Sequence, residues 1–210
     1  MKITAIEEQK KNKNRKSVFL DGAFAFGIDA FSLYALKLKV GDDISPAYLA
    51  EIKGTILLED AKNKAIKLVS SRSYTKRNIR KKLLEYTENE EITDKTVAFL
   101  EEYGLINDED YARRYAHDCF HLKKLGKRSI HMKLLEKGIS KALADAVTEE
   151  LVDEETAEDH LLSLLRKKLG NDFDIKNQAK AKRYAAYRGY GFDEIDAAIR
   201  RLQAESEDAI

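Results

Sequence analysis

The stretch "LKKLGKRSIHMKLLEKGIS", Leu122 to Ser140, sets Lys123, Lys124, Lys127 and Arg128 around Gly126 and then runs into a short apolar-striped segment. Cations at that spacing can hold an anion, either the phosphates of a nucleic acid or carboxylates on a protein surface. Arg72, Lys76 and Arg77 form a similar group upstream, and Lys182 and Arg183 form one downstream. Other chemistry is sparse. His117 and His121 stand four apart, a spacing that could share a metal, but Cys119 between them falls in an apolar row and no second ligand pair accompanies it. No metal site is expected there. His131 and His160 stand alone, and no Ser-His-Asp order or Gly-rich phosphate loop is present. Paired acids such as Glu149-Glu150 and Glu154-Glu155 lie in charge runs of the kind that mark solvated helix faces. The expectation is a protein without catalysis and without a cofactor.

Thirty-eight Lys and Arg against 37 Asp and Glu leave a formal charge of +1, so no whole-molecule basic field exists and any electrostatics must be local. Cys119 has no partner for an intramolecular disulfide, and no apolar run approaches the roughly 20 residues that span a bilayer. The start, "MKITAIEEQKKNKNRK", turns polar within six residues and lacks a signal-peptide core. These features predict a cytoplasmic protein with no membrane contact. One proline, ten glycines and 36% charged residues predict a mainly α chain.

The elements that must position the cations follow from punctuation and spacing. "SVFLDGAFAFGID" alternates apolar residues on both sides of Asp21-Gly22 and reads as a β-hairpin, with Ile3 and Ile6 supplying a further strand. Helix starts are expected at Ser45, Thr75, Asn107, Ser140 and Asp193, and stops at Gly104, Gly138, Gly170 and Gly189. Tyr111, Tyr115 and Cys119 beside Ala112, Ala116 and Phe120 make one wide core stripe. Leu143, Val147 and Leu151 make another, as do Ile195, Ile199 and Leu202.

The chain also repeats itself. "DEDYA" at 108 returns as "DEETA" at 153, Lys137-Gly138 and Arg188-Gly189 are 51 positions apart, and Ile79 and Leu83 precede Ile130 and Leu134 by the same interval. The expected architecture is three tandem three-helix repeats of about 50 residues in an elongated, curved array, with a small N-terminal β module. Its segments are 1–44 (β-hairpin module and linker), 45–106 (linking helix and repeat 1), 107–152 (repeat 2) and 153–210 (repeat 3 and acidic tail). Each repeat is expected to carry a long apolar-striped helix, a shorter basic one and a shorter acidic one. Charge recurs with the repeats: 61–84 holds nine Lys or Arg and no acid, while 145–159 holds eight acids and no Lys or Arg. The cations gather at the second helix and the turn before it, a recurrence that solubility alone does not require.

With "GLINDEDYARRYAHD", "LGKRSIHMKLLEKGIS" and "YAAYRGYGFDEIDAAI" in that order and spacing, the chain resembles the RecX regulators of the bacterial recombinase RecA over residues 58–204. "KKNKNRKSVFLDGAFAFGID" is similar to an N-terminal extension found in some members. The resemblance implies tandem three-helix units and a non-enzymatic modulator. Such a modulator lies in the groove of the RecA–DNA filament, contacts neighbouring protomers, and lowers strand exchange and ATP hydrolysis. On that reading Arg72, Lys76, Arg77, Lys123, Lys124, Lys127, Arg128, Lys182 and Arg183 are candidates to meet acidic recombinase surface or DNA backbone. Gly126 sets the turn, and Ile130, Leu134, Gly138 and Ile139 fix the helix. A departure is Asn177-Gln178-Ala179, which stands 51 positions after Gly126-Lys127-Arg128. The rival reading is a stand-alone DNA-binding protein with helix-turn-helix-like repeats. The basic stretch offers chiefly Lys and Arg rather than residues that read base edges, which predicts weak, salt-sensitive binding to single- or double-stranded DNA without sequence preference. A monomer is expected.

Overall fold

A computed structural model describes residues 1–10, 12–170 and 172–207. In chain order the elements are β1 (Ile3–Gln9), β2 (Asn12–Leu20), β3 (Ala23–Asp29), α1 (Ala30–Ala35), α2 (Pro46–Ser71), α3 (Lys76–Thr87) and α4 (Glu90–Glu102). Then come α5 (Asp108–His117), continued by a π-helical turn (Asp118–Leu122), α6 (Lys127–Glu136), α7 (Lys141–Leu151), α8 (Glu154–Leu169), α9 (Ile175–Tyr187) and α10 (Phe192–Glu207). The fold is mainly α with a small N-terminal sheet, and from α2 onward helices come in threes. The chain forms two compact units, Met1–Arg72 with Ile79–Leu105, and Ser73–Asn78 with the chain from Ile106 on.

In the first unit the strands form one antiparallel sheet in the order β1-β2-β3, and Asp21-Gly22 makes the two-residue turn between β2 and β3. The hairpin strand reaches further back than its apolar pattern suggests. The charged run from Asn12 to Lys16 is strand because β2 pairs along it with β1, and from Arg15 on with β3 as well. Ile3, Val18, Leu20, Phe26 and Ile28 of the sheet, Leu38 and Ile44 of the connection, and Ile52 of α2 form a buried core. Helix α2 starts where Ser45 accepts the Tyr48 N–H (3.1 Å) ahead of Pro46. Its first half closes the sheet, and the helix also packs on α4. Arg15 of β2 clamps the two parts: its guanidinium meets Asp60 through both terminal nitrogens, Nη1 and Nη2 (2.5 and 3.1 Å), and Nη2 also donates to the Gly27 carbonyl (3.2 Å). The short helix α1, which has no apolar periodicity to announce it, is capped by Asp29.

The second unit holds two separate apolar cores. One gathers Ala112, Ala116, Cys119 and Phe120 with Ile130, Leu134, Ile139, Ala144 and Val147. The other gathers Leu161, Leu162, Leu165 and Leu169 with Ala181, Ala185, Tyr190, Ile195, Ala198, Ile199 and Leu202. The expected stripes face inward, with Tyr111, Tyr115, Leu143 and Leu151 at the edges. The 51-residue interval holds in three dimensions: Ile79, Ile130 and Ala181 are buried, and so are Leu83, Leu134 and Ala185. Asn107, Ser140 and Thr75 cap α5, α7 and α3 as expected.

Two expectations change. Helix α10 starts at Phe192, not after Asp193; Gly191 occupies the cap, its carbonyl accepting from Ile195 and its N–H bound by the Glu194 carboxylate (2.6 Å), half of a capping box. Helix α10 is also as long as α8, 16 residues each, rather than shorter, because no Gly or Pro interrupts Phe192 to Glu207.

Candidate functional site

Two of the basic second helices, α3 and α6, begin against the end of another. Gly126 caps α6, and its N–H donates to the Arg188 carbonyl (2.9 Å), while Ser129 Oγ donates to the Tyr187 carbonyl (3.3 Å). The positions 51 residues earlier do the same: Thr75 Oγ1 and Asn78 Nδ2 both donate to the Lys137 carbonyl (2.7 and 3.2 Å). The acceptors, Lys137 and Arg188, close α6 and α9, where Gly138 and Gly189 sit at φ 90° and 97° and complete Schellman motifs. Gly138 has the Arg77 side chain lying across it, and Gly189 has Ser129, so each joint needs a glycine both for its left-handed turn and for close approach. Gly126 is needed for approach alone: a Cβ there would lie 2.5 Å from the Gly189 carbonyl.

The joints collect most of the candidate cations. Lys76 and Arg77 lie in the first turn of α3, and Lys127 and Arg128 in the first turn of α6, all exposed. Lys124 precedes α6 in a left-handed conformation (φ 50°), which costs about 1 kcal/mol for a residue with a Cβ. Its carbonyl accepts from Tyr190 Oη (3.1 Å) and Arg188 Nη2 (3.3 Å), which offsets that strain. Its ammonium reaches Ser163 Oγ (3.3 Å). Lys123 lies 5.7 Å from the Tyr115 ring, and Lys137 lies 5.5 Å from it. Arg72 is exposed at the end of α2, in the other unit. Ile130 and Leu134 are fully buried and Ile139 nearly so, which makes them supports for the helix.

Several candidates are partly neutralised. The Lys127 ammonium bonds the Glu149 carboxylate, and Lys182 pairs with Asp196 at 2.7 Å. Arg128 and Arg183 are exposed and make no ion pair among the described residues. Asn177 and Gln178, which replace the basic turn in the third repeat, hold the preceding loop instead. Asn177 Nδ2 donates to the carbonyls of Leu169 and Asp172, and Gln178 Nε2 to that of Phe173. Helix α9 is three residues longer than α6 and the two end in register, so its start lies one turn further back. Missed by sequence reasoning were Arg188 and Tyr190 as anchors of the turn and the exposed Tyr187 beside them. Lys137 and Arg188 were visible as a matched pair 51 positions apart, but their role is played by backbone carbonyls, which no residue type announces.

Burial decides the protonation states nearby. It pushes the Tyr190 hydroxyl up to about 12, keeping it a donor to Lys124, and does the same to Tyr115. The buried Cys119 thiol is pushed up as well. His160 is pushed down by burial and then by Lys124 and His121. His121 lies between His117 and His160, with ring centroids 4.4 and 6.4 Å away, yet no group of three or more His, Cys, Asp or Glu among the described residues is arranged to hold a metal. No helix among them is long and apolar enough to cross a membrane.

Residues 1–45 match the family model for the regulatory protein RecX N-terminal domain, residues 107–147 that for the second RecX three-helix domain, and residues 154–199 that for the third. Proteins named regulatory protein RecX include one from Clostridium botulinum (strain Alaska E43 / Type E3), 34% identical over 208 residues that cover 95% of each chain. Another, from Clostridium beijerinckii, is 32% identical over 217 residues, covering 99% of this chain and 98% of the relative. A crystal structure of regulatory protein RecX superposes with a TM-score of 0.72 at 24% identity, over 93% of this chain and 97% of the other. That of RecX from Lactobacillus salivarius gives 0.64 at 23% identity, over 70% and 97%. At those identities the two structures speak to the fold.

Proposed function

The chain belongs to the RecX family of regulatory proteins, and from that premise we propose that it is a non-enzymatic, cytosolic regulator of the recombinase RecA. It binds as a monomer in the groove of the RecA–DNA filament and lowers strand exchange and ATP hydrolysis. The observation that carries the reading is the start of α6. Gly126 gives no side-chain cap, the first turn holds no acid, and Lys127 and Arg128 sit there instead. Cations at the positive end of a helix cost about 0.3–1 kcal/mol each, and an external anion reverses that cost. A filament offers such anions repeatedly, as acidic protomer surface and as phosphate, and several weak contacts from linked repeats gain affinity through effective concentration. DNA contact is then weak, salt-dependent and without sequence preference.

The test is charge reversal at Arg77 and Arg128, with RecA ATPase on single-stranded DNA as the readout and circular dichroism as the check on folding. Loss of inhibition is expected. Undiminished inhibition by a folded double variant refutes the assignment, and tight, sequence-selective binding to bare duplex would favour the stand-alone DNA-binding reading.

A further inference from the structure

Next to the basic edge, within the second unit, lies a surface of opposite sign. A cavity of about 510 Å³ is walled by the end of α7, the start of α8, α10 and the first residues of α6. Its floor is apolar, formed by Val152, Ala157, Leu161, Ala198 and the ring of Tyr190. Its rim carries four carboxylates, Glu149, Glu154, Glu158 and Glu194, against one lysine, Lys127. Three of the four are engaged: Glu149 by Lys127, Glu158 by Arg201 (2.7 Å), and Glu194 by the Gly191 N–H. Glu154 is exposed and has no side-chain partner among the described residues.

We propose that this groove is a docking site for a basic amphipathic helical segment of a protein partner, one that carries Arg or Lys beside small apolar side chains. Two independent features select that occupant. The apolar floor has no use for a hydrated cation alone, and the carboxylate rim repels nucleic acid and acidic peptide. Three of the lining residues, Ala157, Ala197 and Ala198, present only methyl groups, so a helix can lie close, its apolar residues on the floor and its guanidinium groups on the rim. Glu154 is the rim charge most available to it. The site shares only Lys127 with the basic edge and uses none of Arg77, Arg128 and Arg183, so it stands whether or not those three contact a filament.

The probe is a labelled synthetic peptide with arginines on one helical face and leucine and alanine on the other. It is titrated by fluorescence anisotropy into the full chain at about 0.15 M salt, where screening acts beyond ~8 Å. A scrambled peptide of identical composition and the polyamine spermidine serve as controls. The amphipathic peptide is expected to bind about tenfold more tightly than the scrambled one, and Glu154→Lys and Ala197→Trp should each weaken it by about tenfold. Both positions are exposed, so the fold persists. Glu90→Lys, at the exposed start of α4, should leave binding unchanged. Backbone amide NMR shifts at Ala157 and Ala198 should move with the peptide. Equal binding of the scrambled peptide, displacement by spermidine at equal charge, or undiminished affinity in both groove variants overturns the proposal. So does a wild-type chain that dimerises in sedimentation through this groove, because the occupant would then be a second copy.

Discussion

Replacing Gly126 by alanine isolates the close approach between α6 and the end of α9. At φ −74° and ψ 162° the backbone suits alanine, so the whole cost arises from contact. The added Cβ would meet the Gly189 carbonyl carbon and oxygen at 2.5 Å and the Tyr190 nitrogen at 2.8 Å. Carbon atoms normally rest about 3.5–4.0 Å apart, so the two backbones must separate by roughly an ångström. That strains three bonds: Gly126 N–H to Arg188 (2.9 Å), Ser129 to Tyr187 (3.3 Å) and Tyr190 to Lys124 (3.1 Å). At about 1 kcal/mol net for each hydrogen bond, the loss is ~2–3 kcal/mol. With roughly 2–4 °C per kcal/mol for a chain of this size, Tm should fall by roughly 5–10 °C. Calorimetry supplies the first reading and hydrogen exchange the second: the amide at position 126 should lose protection while amides inside α8 keep theirs. A variant that melts with the parent protein and keeps the amide protected would refute the reasoning.

Arg15→Met should cost about 1–3 kcal/mol in urea unfolding, because it removes charge-assisted bonds to Asp60 and leaves the Gly27 carbonyl without that donor. Thr93→Val breaks the 2.7 Å hydroxyl pair with Thr87 inside the first unit and should cost roughly 1 kcal/mol, also by urea. Leu134→Ala, at a fully buried site between α6 and its neighbours, should cost about 2–5 kcal/mol and can be followed by thermal unfolding. His160 sets a pH dependence. Burial, then Lys124 and His121, lower its pKa from 6.5 in the native state, and its buried Nδ1 has no partner among the described residues. The unfolded chain therefore binds the proton more readily, so this contribution is full above about 6.5 and is lost as pH falls through the native value. Urea midpoints across pH should show that slope, and His160→Leu should flatten it.

What the residues announced and what they concealed divide along one line. Apolar stripes, Asn107, Ser140 and the glycine stops were legible because each acts through its own side chain, or lack of one, at a fixed spacing. The joint was not, since Thr75 and Gly126 do the same task with different chemistry, one through a hydroxyl and the other through a bare N–H. Strand β2 was half hidden because Asn12 to Lys16 gain their structure from pairing with β1, joined by β3 only at Arg15 and Lys16. Candidate cations looked alike in the sequence, whereas folding pairs Lys127 and Lys182 with acids and leaves Arg128 without an ion pair among the described residues. Those partners, Glu149 and Asp196, lie 22 and 14 positions away, beyond the reach of local spacing rules.

The two apolar cores of the second unit have a consequence for synthesis. One is assembled wholly from residues between 112 and 147, and the other from residues between 161 and 202. Every contact within a core closes a short loop, a topology that favours rapid formation and lets a domain complete itself in the order in which it leaves the ribosome. The buried centre of the earlier core can thus form while most of α8 to α10 is still untranslated, and Ala157 at the start of α8 then closes its edge. Gly126 would then wait, its N–H bound to water, until Arg188 arrives, and the nascent chain exposes one small hydrophobic face at a time.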